Sequence, residues 1–320
     1  MGSERIEKAV SARPRQARWI GRLTRNWPLQ VRHDWPWLVA FVLPAFILVV
    51  VVQFYPLAYS AYLSVQEWSL TKSQEPIGYV GLANFQKVLN SEAFNRAVKN
   101  SFYITGGTIL LQMLLGMGLA YLTMGTGWLM RGARTILIIP MVIAPVAAGT
   151  LWRMMLNQRS GLVNYLLDLV GVEGPAWLAT PNWALISVMI LEMWQGIPFV
   201  MLVVAAAITS IPDELLEAAS IDGASRWKAF LKVELPLLTP LLALTLMYRM
   251  LDSLLNLDSV YSLTFGGPGY STYTLTFYIY DLGLRSFNFG RAAAASWLFM
   301  AFAATVIGLA FWFQRRQQTN

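Results

Sequence analysis

No cysteine occurs in the 320 residues, which excludes disulfides, thiolate metal sites and cysteine nucleophiles. Histidine is nearly as scarce. The single copy, His33, sits beside Asp34 in a polar N-terminal stretch, and metal sites need several converging donors. Charge is sparse as well: Asp, Glu, Lys and Arg make up 13% of the chain, about half the share of a soluble domain. There is no GxxxxGK(S/T) phosphate loop, so the chain does not bind ATP in the P-loop manner. The glycines of Leu263-Thr264-Phe265-Gly266-Gly267-Pro268-Gly269 come without a lysine or a helix N-terminus aimed at an anion, and read as a rigid turn. Neither an internal repeat nor a low-complexity tract is visible.

What the chain has instead is apolar sequence, 56% of its residues, arranged in long runs. Runs of about 20 apolar residues indicate membrane helices rather than an enlarged core. Six qualify, at about Trp37–Leu63, Val98–Thr123, Thr135–Leu156, Trp183–Thr209, Leu237–Leu263 and Arg291–Phe313. The expected fold is therefore an all-α integral membrane protein of six transmembrane helices. Trp and Tyr cluster near the run ends, as interfacial rings do. Pro44, Pro56, Pro140, Pro145 and Pro198 fall inside runs and read as tolerated kinks, because neighbouring helices can satisfy the freed carbonyls. Gly106, Gly107, Gly116 and Gly118 suit close helix approach.

Basic residues set the orientation. Eight lie in the arm before the first run, Arg131 and Arg134 follow the second, and Arg226, Lys228 and Lys232 follow the fourth. Arg315 and Arg316 end the chain, and the alternate loops together hold only eight. The positive-inside rule then places both termini and the loop after the fourth run in the cytoplasm. The net charge of +7 thus follows topology and does not indicate a nucleic-acid partner. Residues 1–36 read as a cytoplasmic basic arm and 314–320 as a cytoplasmic tail. The arm is too long and polar for a cleavable signal. It fits anionic lipid, with a specific protein contact as the alternative.

Two outer loops carry short helical patterns: Leu82, Phe85, Val88 and Leu89 after Gly81, and Leu162 to Val170 between a Ser160 cap and Gly171. Each fits a helix lying flat at the membrane surface or a ledge for an external protein. On the inner side, Pro212-Asp213-Glu214 opens a helix that runs to Ile221, with proline and acids where the first turn favours them. Gly223 can turn the chain, Ala224–Val233 gives a second helix, and Pro236 marks re-entry into the fifth run. Two short helices at a glycine form a knob: Ala218 and Ala219 keep it slim, and Glu217 and Asp222 can meet basic groups.

Ionisable side chains inside spans are functional candidates. In the fifth run, Asp252 and Asn256 fall about 60° and 20° from Arg249 around a helix, whereas Asp258 falls about 180° away. Arg249 and Asp252 can pair at i, i+3. The fourth run offers Glu192, Trp194 and Gln195. These groups fit two readings: polar glue between helices, or the lining of a path for a hydroxyl-rich solute, with Trp194 or Tyr248 offering a ring face.

Glu217-Ala218-Ala219, three residues, Gly223, nine residues, Val233, any residue, Leu235-Pro236 resembles the EAA loop of binding-protein-dependent ABC importers. The turn at Leu263–Gly269, the aromatic Tyr278-Ile279-Tyr280 and Phe289-Gly290-Arg291-Ala292 resemble the carbohydrate-uptake branch of those permeases. So do Tyr55-Pro56, Val80-Gly81-Leu82-Ala83-Asn84-Phe85 and Ile211-Pro212-Asp213-Glu214-Leu215, and within the branch the chain looks like the maltose-type first permease subunit. The resemblance covers residues 37–313, with the coupling loop at about 210–236. It implies a transport subunit in a bacterial inner membrane and no enzyme. It also implies a second homologous permease, two ATPase subunits holding ATP and Mg²⁺, and an external solute-binding protein. No cofactor is expected on this chain. The rivals are an ion-coupled secondary transporter, which leaves the cytoplasmic knob unexplained, and an intramembrane enzyme, which has only carboxylates to work with.

Overall fold

The computed structural model describes residues 29–125 and 127–318, and the chain divides into two compact units, residues 1–60 and 61–320. In the first unit the described chain is helical throughout: α1 (Leu29–Val49), a π-helical turn (Val50–Phe54) and the start of α2 (Tyr55–Ser64). The π turn has a local cause. The Pro56 ring would collide with the carbonyl four residues earlier, that of Val52, and a wider turn moves that carbonyl aside. Residues 40–58 are all exposed. Helix already begins at Leu29, so no break separates the end of the basic arm from the first span; the arm before it, with Arg5 to Arg25, lies outside the described residues.

The second unit continues through a two-stranded antiparallel hairpin, β1 (Gln66–Glu67) and β2 (Gly78–Tyr79), with Gln66 opposite Tyr79. Then come α3 (Ala83–Leu89), α4 (Glu92–Leu122), α5 (Trp128–Val142), α6 (Pro145–Met155), α7 (Leu162–Leu169) and α8 (Pro181–Ile208). The chain goes on through α9 (Asp213–Ile221), α10 (Arg226–Ala229), a second π turn (Phe230–Glu234) and α11 (Leu235–Leu255). It closes with α12 (Asp258–Leu263), α13 (Leu275–Tyr280) and α14 (Phe289–Gln318). Among the described residues five helices are long and apolar enough to cross a membrane, six if the α5–α6 pair counts as one span. The protein is thus an all-α membrane protein.

Helices α4 and α8 form the centre of the second unit. Lipid offers no hydrophobic drive between helices, so van der Waals fit decides their association. Gly116 supplies that fit: a Cβ there would fall 2.6 Å from the Val200 side chain and 3.2 Å from the Ile197 carbonyl. Around this pair, Val200, Met201, Val204 and Leu238 are buried at one end, and Ile104, Val188, Leu191 and Phe277 at the other.

Four expectations need correction. The third span is not one kinked helix: α5 and α6 meet at 101° across Ile143-Ala144. Pro145 is the cause, because the residue before a proline is driven out of the helical region, and Ala144 lies at ψ 132°. The fifth span stops at Leu255 because Asn256 takes ψ 111° and begins a new turn into α12. At its other end the same span starts early. Helix runs from Arg226 to Leu255 without a break, with the second π turn absorbing Pro236, so the segment after Gly223 is the root of α11 and not a second free helix. Finally, Gly161 caps α7 in place of Ser160, whose hydroxyl and amide both donate to Asn157 Oδ1.

Candidate functional site

A cavity of about 440 Å³ opens where the broken helices meet α8 and α11. Met141, Ile143 and Pro145 line it from the α5–α6 break, Glu192, Gln195 and Phe199 from α8, and Tyr248, Arg249, Asp252 and Leu255 from α11. Asn256, Leu257 and Asp258 complete it at the α11–α12 break. Helix breaks next to a cavity follow a general rule: unpaired backbone at membrane depth is tolerated where it is buried in protein or faces a polar space. Here the freed groups have named partners. Gln195 Nε2 donates to the Ile143 carbonyl at 3.2 Å, and Asn256 Oδ1 accepts from Ser259 N at 3.2 Å, capping α12. Thr276 Oγ1 donates to the Asn256 carbonyl at 3.1 Å.

Beneath the cavity floor a polar network ties three helices together. Arg249 Nε donates to Gln112 Oε1 and Gln112 Nε2 donates to the Glu192 carbonyl, both at 2.9 Å. Arg249 Nη1 also donates to Asp252 Oδ2 at 2.6 Å. Glu192 Oε2 accepts from Ser253 Oγ at 2.9 Å and Oε1 from Asn256 Nδ2 at 3.3 Å. Ser253 Oγ lies 3.3 Å from Thr105 Oγ1. Glu192 is 3% exposed and Gln112 fully buried, whereas the Asp252 side chain is 49% exposed. Charges taken out of water need this degree of bonding to persist. Gly196 makes room for the crossing: a Cβ there would sit 2.5 Å from Gln112 Nε2 and inside contact distance of the Arg249 guanidinium.

The proposed lining residues therefore divide. Tyr248, Gln195, Asp252 and Asn256 face the cavity, and Arg249 and Glu192 reach it while serving the network. The Tyr248 ring lies 4.9 Å from that of Phe199, giving an apolar wall. Trp194 does not join them; it packs edge-on against Trp152, 5.7 Å away. Asp258 does line the cavity, although a continuous helix would have put it on the far side. Gln112 was missed, and its signal was a lone amide within Ile109-Leu110-Leu111-Gln112-Met113-Leu114-Leu115.

The EAA-like segment is well defined. Helix α9 closes with Ala224 N bonded to the Ala219 carbonyl at 2.9 Å and Gly223 N to that of Ser220 at 3.0 Å. This is the Schellman pattern, whose left-handed position belongs to glycine, and Gly223 lies at φ +74°. Ser225 Oγ then accepts from Lys228 N at 3.4 Å to start α10. Glu217, Ala218, Asp222, Gly223 and Pro236 are exposed, and Ala219 and Leu235 half-buried. The root is tied to α4: the Tyr121 hydroxyl donates to Glu234, and the Tyr121 ring stands edge-on to Phe230, 5.5 Å away. Two further motifs also converge. Asn84 Nδ2 donates to the Gln66 carbonyl at 2.8 Å, and Gly290 leaves the room that this carbonyl occupies.

The family described as "Binding-protein-dependent transport system inner membrane component" matches residues 112–319. A probable ABC transporter permease protein, y4oQ, of Sinorhizobium fredii (strain NBRC 101917 / NGR234) is 34% identical over 276 residues, 86% of this chain and 89% of that one. The trehalose/maltose transport system permease protein MalF of Thermococcus litoralis (strain ATCC 51850 / DSM 5473 / JCM 8560 / NS-C) is 31% identical over 84% of this chain and 90% of its own length. Among solved structures, a bacterial alginate ABC transporter in complex with alginate pentasaccharide-bound periplasmic protein aligns with a TM-score of 0.78 at 26% identity. That alignment covers 91% of this chain and 98% of the other. Nothing in these similarities favours an ion-coupled transporter.

Proposed function

The chain belongs to the family of binding-protein-dependent transport system inner membrane components, and we propose that it is one of two homologous permease subunits of a sugar importer. It is a transport subunit and no enzyme; ATP is hydrolysed, with Mg²⁺, on a partner ATPase. Two such ATPases, a second permease and an external solute-binding protein complete the assembly. Both termini and the α9–α10 segment face the cytoplasm. Glu217, Ala218, Ala219, Asp222 and Gly223 enter a groove on an ATPase, while Leu235 and Pro236 carry the motion into α11. Closure of the ATPases then swings the helices from inward-open to outward-open, and hydrolysis resets them. Solute passes the α8–α11 cavity, where the Tyr248 ring, Gln195, Asp252 and Asn256 match the alternating faces and hydroxyls of a sugar.

The observation that carries this reading is the continuity of helix from the exposed EAA-like turn to the cavity. Helix runs unbroken from Arg226 to Leu255, so a displacement at Gly223 is delivered at Arg249 and Asp252. Reconstitution tests it. Vesicles holding the chain with its second permease and ATPases should accumulate labelled solute only with ATP inside and binding protein outside. Accumulation that persists without the ATPases, driven by a proton or sodium gradient, would refute it.

A further inference from the structure

The relatives named above include a trehalose/maltose permease and a transporter of the acidic polysaccharide alginate, so membership alone leaves the charge of the solute open. The cavity carries information on this point. Among the described residues one cation reaches it, Arg249, and its charge is already answered: Nη1 binds Asp252 at 2.6 Å, Nε binds Gln112 at 2.9 Å, and its side chain is only 10% exposed. Three carboxyl groups line the same space, those of Glu192, Asp252 and Asp258. Glu192 is held by Ser253 and Asn256, and Asp252 by Arg249. Asp258 has no ion-pair partner among the described residues and stays half-buried at the rim. The walls from α5 and α6 add no charged side chain. A cleft lined by one sign of charge and enclosed by low-dielectric walls concentrates its field and repels ions of that sign.

Resting on the solute-cavity reading above, we propose that the part of the passage formed by this chain selects neutral, hydroxylated solutes such as uncharged di- and oligosaccharides and excludes anionic ones. Arg249 is a positioning residue for Asp252 and not an anion receptor. A sugar hydroxyl can donate to Asp252 or Asp258 and accept from the Asn256 or Gln195 amide. Among the described residues a phosphate or uronate has no free cation to meet in this cavity.

The chain's lack of cysteine allows a direct test. Leu255→Cys places one thiol in the cavity wall of the assembled complex, with partner subunits made cysteine-free. Its modification rates by a trimethylammonium-ethyl and a sulfonatoethyl methanethiosulfonate are each divided by the rate with a free thiol in solution. The expected cation-to-anion preference is about tenfold, the order of effect that an uncompensated charge in the same partly wetted space exerts. Asp258→Asn should reduce the preference several-fold, and Asp252→Asn, which uncovers Arg249, should reduce it further. Trehalose and maltose should slow modification, and glycerol 3-phosphate should not. A preference equal to that of the free thiol, or protection by glycerol 3-phosphate as strong as by trehalose, would overturn the charge selection while leaving the cavity a solute site. A normal preference with no protection by either kind of solute would overturn the solute cavity itself, and the selection with it.

Discussion

Replacing Gly196 by alanine separates two effects of opposite sign. Within a helix, alanine is favoured over glycine by about 1 kcal/mol, so propensity alone predicts a gain. The structure predicts a loss. The new Cβ would meet Gln112 Nε2 at 2.5 Å and Gln112 Cδ at 2.7 Å, and would press on the Arg249 guanidinium. Neither neighbour can withdraw freely: Gln112 is held by the Glu192 carbonyl and Arg249 by Gln112 and Asp252. Moving Gln112 leaves a buried amide and carbonyl unpaired, at roughly 1–3 kcal/mol for each group. Weakening the bond to the guanidinium adds about 1.5 kcal/mol. Set against the propensity gain, the net destabilisation is about 2.5–6.5 kcal/mol. Gly132, in α5, is the control, because a Cβ there meets nothing within 4 Å. Gly132→Ala should therefore be neutral or slightly stabilising. Thermal unfolding of the purified complex in detergent, with both variants beside the wild type, reads the difference. If Gly196→Ala melts at or above the wild-type temperature, the Gln112–Arg249 crossing is not the rigid element described.

Further predictions concern the cavity and the coupling segment. Gln195→Ala should raise the KM for uptake while leaving assembly intact; unchanged uptake with a lower melting temperature would confine Gln195 to bonding the Ile143 carbonyl. Tyr121→Phe keeps the ring on Phe230 and removes only the bond to Glu234, so a double-mutant cycle with Glu234→Gln should show about 1 kcal/mol of coupling. Additive changes would show that the bond contributes nothing. The Cβ of Gly223→Val meets nothing within 4 Å, so the cost there is chiefly that of a side chain on left-handed backbone, about 1–2 kcal/mol. It should insert normally and fail to stimulate ATP hydrolysis, whereas wild-type stimulation would remove the Gly223 turn from the coupling path.

The membrane helices were readable from apolar run length because bilayer thickness fixes it. The helix breaks were less so, since a break inside an apolar run leaves the composition unchanged. Pro145 within an apolar run reads as a kink, yet its effect on Ala144 is a local rule that places the 101° bend. Asn256 is subtler. Its side chain competes with the helix by capping the next one, and this turns Asp258 from the opposite face into the cavity. It also makes Asn256→Ala a poor probe of solute contact, because the change removes a cap and a partner of Glu192 together. Helical spacing alone cannot say which neighbour the Trp194 ring meets, and in the structure it is Trp152. The Gly223 turn was legible in full: its helix opening, glycine and spacing are all local features.

In the proposed assembly a separate ATPase drives this chain through the α9 segment. Glu217 is exposed there, with its side chain free to meet a partner. The decisive measurement is binding-protein-stimulated ATP hydrolysis by the reconstituted complex carrying Glu217→Lys, with assembly verified by co-purification of the ATPases. Stimulation should be lost while the chain still inserts and folds; stimulated turnover equal to the wild type would rule out docking of an ATPase through Glu217.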